Sequence, residues 1–332
     1  MTWVSKCDDG PGSWSELAEL DWSKFRLVLG AGGATGAAFA AGVLLALTTD
    51  HDVDFANASH LVGTSAGSIV ATLLAMGLGG DDLAAVAART PQWLSPVGGS
   101  YNLTWGDESP RMPKLHNLMR PMGPRDLARS AGLAASRQYR ALWLHCLRPG
   151  TFDLTRQLPF VPELAWPSRN ALSICCTDAG TGQRVVYDGD SDVGLANAVA
   201  ASCSVPGVMR PVRIEDRLLV DGGVVSPTNA DIALDDGDTT LTVVVSPMSG
   251  TGAHSAIGRA SSLFASNRLM SELRRTDTDG GVLVIEPAAS LGALVMDDAL
   301  DATTTTQVLA ASFLGPARAK VVAKHRSYRR SA

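Results

Sequence analysis

At 332 residues, with 45% hydrophobic and 18% charged side chains, the chain is long enough to bury a substantial core and too apolar for wholesale disorder. Its net charge of −5 lacks the basic excess of a dedicated nucleic-acid binder, so no nucleic acid is expected as a partner. The five cysteines, Cys7, Cys146, Cys175, Cys176 and Cys203, are odd in number and form no Cys-x-x-Cys pair. That speaks against a disulfide framework or a zinc site and for a reducing, cytoplasmic compartment.

Residues 1–24 read as an N-terminal extension. Met1 to Trp22 carries Asp8, Asp9, Glu16, Glu19 and Asp21 and has no apolar stretch behind a basic start, so it lacks the form of a signal peptide. Phe25 to Leu29 is a short apolar run ending at glycine, as expected of a buried parallel strand. The loop Gly30-Ala31-Gly32-Gly33-Ala34-Thr35-Gly36 follows, and Ala34 to Leu47 reads as a helix apolar nearly all round, hence buried. Leu27 to Thr48 is also uncharged over a membrane-spanning length; the glycine cluster favours a loop in its first half and leaves a transmembrane span as the minor alternative.

His60 to Val62 is the next short strand, running into Gly63-Thr64-Ser65-Ala66-Gly67, with a helix over Ser68 to Met76 beyond. A serine on a sharp strand-to-helix turn keeps its hydroxyl exposed, because flanking glycines remove the Cβ atoms that would crowd the bend. The helix behind adds free backbone N–H groups and the positive end of its dipole. Ser65 is thus the candidate nucleophile; the alternative is a turn whose serine merely caps the helix. Strand, helix, strand, helix at this spacing argues for an α/β fold, a parallel sheet covered by helices with function at the carboxyl ends of the strands.

From Gly79 the texture changes to scattered prolines and tryptophans, with helical patterns at Arg125 to Ser130 and Arg137 to Leu147. Between Arg111 and Arg156 nine basic residues stand against Asp126 and Asp153, a local charge of +7 in an acidic chain. Residues 80–156 read as a helical, basic insertion over the sheet, either plain solvated helix faces or a flap that meets an anionic surface. Strands return at Ala171 to Cys176 and Arg184 to Tyr187, joined by the turn Ala179-Gly180-Thr181-Gly182. A small-residue helix over Asp192 to Ser202 precedes Ser204-Val205-Pro206. Val212 to Ile214 and Arg217 to Val220 make a hairpin that runs into Asp221-Gly222-Gly223. Thr240 to Val245 and Gly281 to Ile285 are further strands. Helical patterns at Ile257 to Arg275, Asp301 to Phe313 and Ala317 to Tyr328 close the chain. The expectation is one domain over 25–330, with C-terminal helices from 250–330 packed on its core.

Three features carry chemistry. The glycine loop follows a strand and opens a helix, so its N–H groups are free to receive an anion, either a nucleotide phosphate or the oxyanion of an acyl-transfer intermediate. Its spacing departs from the dinucleotide fingerprint and it has no P-loop lysine, which disfavours a nucleotide. No cofactor is expected, and no His/Asp/Glu cluster has metal-ligand spacing. The serine turn needs a base within hydrogen-bond reach. Asp221, at the end of an apolar strand with two glycines behind it, is the candidate; the alternative is an ordinary hairpin-end aspartate. A Ser-His-acid triad competes, and in that chain order only His254 and His325 follow Asp221.

In this order the glycine loop, Gly-Thr-Ser-Ala-Gly, Ser204-Val205-Pro206 and Asp221-Gly222-Gly223 resemble the patatin-like phospholipases from Leu27 to Pro247. The resemblance implies a three-layer α/β/α sheet and a lipid acyl hydrolase with a Ser–Asp dyad. By it Ser65 is the nucleophile, Asp221 the base, and the N–H groups of Gly32, Gly33 and Ala34 the oxyanion hole. The family loop usually reads Gly-Gly-Gly-x-Arg-Gly; here Ala31 stands at the first glycine and Thr35 at the arginine. The function expected is cleavage of fatty-acyl esters of phospholipids or other lipids in the cytoplasm, peripheral to the inner face of the membrane. The alternative is a catalytically weakened module on the same fold that binds lipid or a protein.

Overall fold

The protein is described here by a computed structural model over residues 17, 20–87, 119, 121–136, 138–156, 164–168, 170–234, 241–275, 281–297, 299–300, 304–314 and 317–322. Most of the expected N-terminal extension, the insertion over 88–118, and Cys7, His116 and His325 lie outside these residues. The elements in chain order are β1 (Phe25–Leu29), α1 (Gly33–His51), β2 (Ala58–Thr64), α2 (Ala66–Ala75), α3 (Gly80–Ala87), α4 (Pro124–Ala135) and α5 (Tyr139–Cys146). Then come β3 (Ala171–Asp178), β4 (Arg184–Tyr187), α6 (Leu195–Ser202), β5 (Val212–Ile214), β6 (Arg217–Asp221), α7 (Asp231–Leu234) and β7 (Leu241–Val245). The chain continues through α8 (Ala256–Arg275), β8 (Val282–Pro287), α9 (Ala289–Met296), α10 (Thr305–Leu314) and β9 (Ala317–Val322).

The strands read as continuous apolar runs because helices cover both faces of the sheet. Alternate residues of one strand enter different cores. Phe25, Leu27 and Leu29 pack with Phe39 and Leu44 of α1 and with Val70 and Leu73 of α2. Val28, Val62 and Val244 pack on the other face with Leu269 and Leu273 of α8. Each such fully buried side chain is worth about 1.5–3 kcal/mol relative to exposure. α1 has the length and composition to cross a membrane, yet most of it is buried inside the fold. A Cβ on Gly42 would lie 2.7 Å from Cβ of Ser312 and 2.8 Å from the Leu309 carbonyl, so α10 crosses α1 at near contact.

The sheet has nine strands among the described residues, in the order β5-β6-β3-β2-β1-β7-β8-β9, with β4 also paired to β3. Its middle, β3-β2-β1-β7-β8, is parallel as expected. The edges are antiparallel: the β5–β6 hairpin was expected, whereas the pairing of β6 with β3 and of β9 with β8 was not.

One register detail governs the site. Ile174 of β3 faces Gly63 of β2 on one side and Tyr187 of β4 on the other. Cys176 faces Val185 of β4 and Asp221 of β6. A strand has two hydrogen-bonding sides, and β4 holds one from Ile174 to Thr177. β2 and β6 therefore share the other, end to end, with Thr64 opposite Cys175 and Asp221 opposite Cys176.

Two expectations are corrected. The helical pattern from Ala317 is an antiparallel edge strand, β9, over Ala317–Val322. Ala-Arg-Ala-Lys-Val-Val satisfies either period, and the open ladder of β8 overrides its helix propensity; basic residues are usual on an exposed edge. The C-terminal region is thus not helical throughout. The helix before Ser204 begins at Leu195 rather than Asp192, and α3 and α9 carried no distinct signal in the sequence.

Candidate active site

Ser65 sits between β2 and α2 with φ 54° and ψ −128°, a left-handed conformation that a serine adopts only when its surroundings impose it, at about 1–3 kcal/mol. A Cβ on Gly63 would meet Cα of Ser68 at 2.5 Å, and one on Gly67 would meet the Leu29 carbonyl oxygen at 2.0 Å. Both glycines of Gly-x-Ser-x-Gly thus serve close approach. The second lets α2 press against the carboxyl end of β1. Ser65 occupies the N-cap position of α2, but its side chain makes no cap hydrogen bond. The helix-cap alternative is therefore answered: the hydroxyl is left free for other partners. The turn is held from behind, where the Ser65 N–H donates to Ser202 Oγ at 2.9 Å and the Ser202 hydroxyl donates to the Cys175 carbonyl at 2.7 Å. The Ser68 hydroxyl donates to the Ser65 carbonyl at 2.6 Å.

Asp221 ends β6 and is buried. Burial pushes its carboxyl up to about 6 from the ordinary 3.8, against the opposing pull of hydrogen bonds from the Ser65 hydroxyl and the Gly223 N–H. The Gly223 N–H donates to Oδ1 at 2.7 Å. The backbone of Asp221 is pinned as well: its N–H donates to the Ser204 carbonyl at 2.9 Å, and the Thr177 hydroxyl donates to its carbonyl at 3.0 Å. A Cβ on Gly222 would lie 2.2 Å from the Cys175 carbonyl oxygen and 3.2 Å from Cγ2 of Thr64, so the chain leaves the sheet through a gap only glycine fits. Ser65 and Asp221, 156 positions apart in the sequence, are brought close because their strands meet end to end, near enough for the Ser65 hydroxyl to oppose the upward push of burial on the carboxyl.

The glycine loop lies at the carboxyl end of β1, between these turns and β7. Its flanking N–H groups are used: Gly30 donates to Val245 at 2.9 Å, Ala31 to the Pro227 carbonyl at 2.7 Å, Thr35 to Ala299 at 3.4 Å and Gly36 to Gly32 at 2.8 Å. Those of Gly32, Gly33 and Ala34 have no partner among the described residues. Gly33 has φ +61°, and a Cβ there would strike the Ala299 carbonyl oxygen at 2.1 Å. The loop faces the neighbours of Ser65 and Asp221, since the Cβ position of Gly223 is 3.6 Å from Cβ of Ala31 and that of Gly67 is 2.7 Å from the Gly30 carbonyl oxygen. Thr35, at the family's arginine position, is fully buried and points the other way, its hydroxyl donating to the Val295 carbonyl of α9 at 2.9 Å.

Among the described residues no histidine enters the arrangement. The groups that shift Asp221 are burial, Ser65 and Gly223, with no imidazole among them. His254 is exposed; its N–H donates to Asp297 at 2.8 Å, and it is Asp297 that feels its charge. His60 pairs with Ser173 at 2.8 Å, and His145 lies 3.7 Å from Asp126. Cys175 and Cys176 are fully buried, as expected of small hydrophobes, and burial pushes both thiols up, Cys175 to about 12. Among the described residues no cluster of three His, Cys, Asp or Glu side chains is placed to hold a metal. A cavity of about 950 Å³, lined by Phe55, Met76 and Trp166, opens at the amino ends of β2 and β3, away from these residues.

Sequence reasoning missed a brace behind the site. Asn229, with φ 52°, donates through Nδ2 to Thr64 Oγ1 at 3.0 Å and to the Ser226 carbonyl at 2.7 Å. Its Oδ1 accepts from Arg184 at 3.1 Å, and Arg184 also makes a bidentate pair with Asp231, both contacts at 2.6 Å. The buried Glu272 accepts from the Thr228 hydroxyl and the Ala230 N–H, each at 3.0 Å. The same turn supplies the Pro227 carbonyl that holds Ala31. One short segment after Asp221-Gly222-Gly223 thus supports both the serine turn and the glycine loop. The only signal in the sequence was its position just beyond the aspartate.

Comparison with known proteins fits this geometry. The family model for patatin-like phospholipases matches residues 27–234, more than half of the chain. Among solved structures the chain is similar to VipD from Legionella pneumophila, at 16% identity and a TM-score of 0.42, over 87% of this chain and 67% of that one. It is also similar to the type III effector ExoU, at 18% identity and a TM-score of 0.32, over 88% of this chain and 54% of that one. ExoU from Pseudomonas aeruginosa in complex with SpcU matches at 16% identity and a TM-score of 0.35, over 88% and 53%. The chain therefore spans about half the length of ExoU. With the ordered glycine loop, serine turn and aspartate strand on one sheet, and a family match running from β1 through α7, the chain belongs to the patatin-like phospholipase family.

Proposed function

We propose that the protein is a serine acyl hydrolase that cleaves fatty-acyl esters of phospholipids or related lipids through Ser65 and Asp221. The observation that supports this reading is a serine hydroxyl freed from helix capping beside a buried carboxyl that burial pushes up to about 6. At pH 7 such a carboxyl is mostly ionised and still basic enough to take a proton from an attacking hydroxyl. Ser65 Oγ adds to the ester carbonyl carbon as its proton passes to Asp221. The oxygen, now negative, is received by the N–H groups of Gly32, Gly33 and Ala34 at the start of α1. Collapse expels the alcohol, which regains the proton from Asp221, and leaves an acyl-enzyme on Ser65. Water, deprotonated by Asp221, then releases the fatty acid. Thr35 supplies no cation to this loop, and the backbone dipoles and the helix terminus provide the charge stabilisation.

The test is hydrolysis of p-nitrophenyl esters and of phospholipid vesicles, with a calcium chelator present, beside labelling by a fluorophosphonate. Turnover and labelling that vanish in Ser65→Ala with an intact fold are the expected result. Retained turnover in that variant removes Ser65 from the mechanism. An unlabelled, inactive wild type favours a binding module on the same fold, and loss of activity in His254→Ala favours a triad.

A further inference from the structure

The described residues leave eight large hydrophobic side chains well exposed, and all but Leu218 lie in two places. Met119, Leu127, Tyr139 and Trp143, each at least half exposed, belong to the α4–α5 hairpin and its entry. Ile257, Leu263 and Phe264 lie on α8, whose opposite side buries Leu269 and Leu273. α4 has no buried residue at all, so its apolar side chains are not there to fill the core.

The two places lie within electrostatic reach of each other: burial, and then the charge of Arg268 on α8, hold the Arg140 guanidinium of α5 below its ordinary proton affinity. Trp143 stands one turn from Arg140, and Phe264 one turn from Arg268, so each helix carries an aromatic beside a cation. The hairpin is also basic. Arg125, Arg129, Arg140 and Arg148 stand against Asp126, whose carboxylate accepts from the Gly123 N–H at 3.1 Å and lies 3.7 Å from His145. Arg125 and Arg129 make no ion pair among the described residues. In a chain of net charge −5, cations gathered beside exposed aromatics call for an anionic partner.

The region belongs to the catalytic end of the sheet. α5 backs onto the β3–β4 turn, where a Cβ on Gly182 would lie 2.7 Å from the Ala141 nitrogen. That turn follows the carboxyl end of β3, the end at which parallel β2 delivers Ser65. After α5, the Thr151 N–H donates to the Val208 carbonyl at 3.1 Å and the Arg210 N–H to the Phe152 carbonyl at 2.8 Å. These contacts tie the hairpin to the segment after Ser204, the residue that holds Asp221.

We propose that α4, α5 and the exposed flank of α8 form a docking face for the surface of an anionic lipid bilayer. Tyr139 and Trp143 are side chains suited to headgroup depth, Leu127 and Phe264 add apolar insertion, and the arginines keep their stems along the apolar surface while their heads meet phosphates. Seated this way, the carboxyl ends of the strands turn toward the membrane.

The test uses the full chain carrying Ser65→Ala, so that binding is read without turnover and does not depend on the proposed chemistry. Sedimentation with phosphatidylcholine vesicles, with and without phosphatidylglycerol, is measured at low and high salt. The expected result is binding that requires phosphatidylglycerol and weakens with salt. Arg125→Ala with Arg129→Ala is expected to lower it about thirtyfold, at about 1 kcal/mol for each charge. Leu127→Ser with Trp143→Ser is expected to weaken it at both salt levels. Because α4 is unburied, the arginine pair leaves the core intact, which circular dichroism checks. Arg213→Ala with Arg217→Ala, the same charge change on the exposed β5–β6 hairpin, is expected to leave binding unchanged. No vesicle binding, binding indifferent to phosphatidylglycerol, or an equal loss in the hairpin control overturns the proposal.

Discussion

Replacing Asp221 with asparagine separates what the buried carboxylate costs the fold from what it does for the chemistry. The carboxyl titrates at about 6 in the folded protein against an ordinary 3.8, with burial the largest cause. At about 1.4 kcal/mol per pH unit, that gap corresponds to roughly 3 kcal/mol of native stability forgone when the group is ionised. The sign follows from proton binding: a folded state that holds the proton more tightly loses stability as pH rises from about 4 through 6, and the full cost is present above 6. Asparagine removes the charge and so removes the cost, less whatever its weaker acceptor loses toward the Gly223 N–H and the Ser65 hydroxyl. We therefore expect Asp221→Asn to be more stable than wild type by about 1–3 kcal/mol at pH 8, with the gain falling to near zero by about pH 4. Urea unfolding followed by circular dichroism at a series of pH values measures this, and ester hydrolysis on the same samples should be lost throughout. A gain that does not change with pH, or no gain at pH 8, would refute the argument that Asp221 is a desolvated carboxyl in the native state.

Three further outcomes follow. The ratio kcat/KM should rise with unit slope through a pH of about 6 as Asp221 ionises and then level off; a profile governed near 7 that shifts in His254→Ala would point to imidazole instead. Gly67→Ala places a Cβ against the carbonyls of Leu29 and Gly30, and should cost about 3 kcal/mol in denaturant unfolding, whereas Gly77→Ala, with φ +93° but open space around it, should cost less. Asn229→Ala unlinks Thr64 from the supporting turn and should lower kcat about 10- to 100-fold with KM little changed, with faster amide exchange at Ala31 as an independent readout.

Much of this site was legible because its parts are local. Gly63-x-Ser65-x-Gly67 announces a tight turn through residue type alone, and Gly30 to Gly36 announces a loop, of which the structure leaves the amides of Gly32, Gly33 and Ala34 free among the described residues. The parallel middle of the sheet was equally plain from the short apolar runs at Phe25 to Leu29, His60 to Val62 and Thr240 to Val245, although β2 begins two residues earlier, at Ala58. What the sequence could not convey was partnership at a distance. Nothing near Asn229 or Glu272 indicates that they face Thr64 and Thr228, since a buried polar residue is recognised only by what surrounds it. β9 was misread for a related reason: Ala317 to Val322 has no strong period of its own, and its state is decided by the open edge of β8. Thr35 looked like a missing arginine. In the fold it anchors the glycine loop to α9, a structural use that only the Val295 contact reveals.

The end-to-end meeting of β2 and β6 also bears on why an aspartate is the proposed base without a histidine between. In a triad the imidazole spans serine and carboxylate, which therefore stand a ring's width apart. Here Thr64 and Asp221 lie opposite consecutive residues of β3, Cys175 and Cys176, about 3.3 Å apart along the strand. Ser65 follows Thr64 directly, which brings its hydroxyl close to the carboxyl. A carboxylate in water is too weak a base to serve a serine. Sealed behind Gly222 and Gly223 it is a stronger one, because the burial that raises its proton affinity is set by the same register that brings it to Ser65. In this reading topology both brings the two side chains together and buries the carboxyl, so a substitution that opens the Gly222 turn to water should weaken the proposed base.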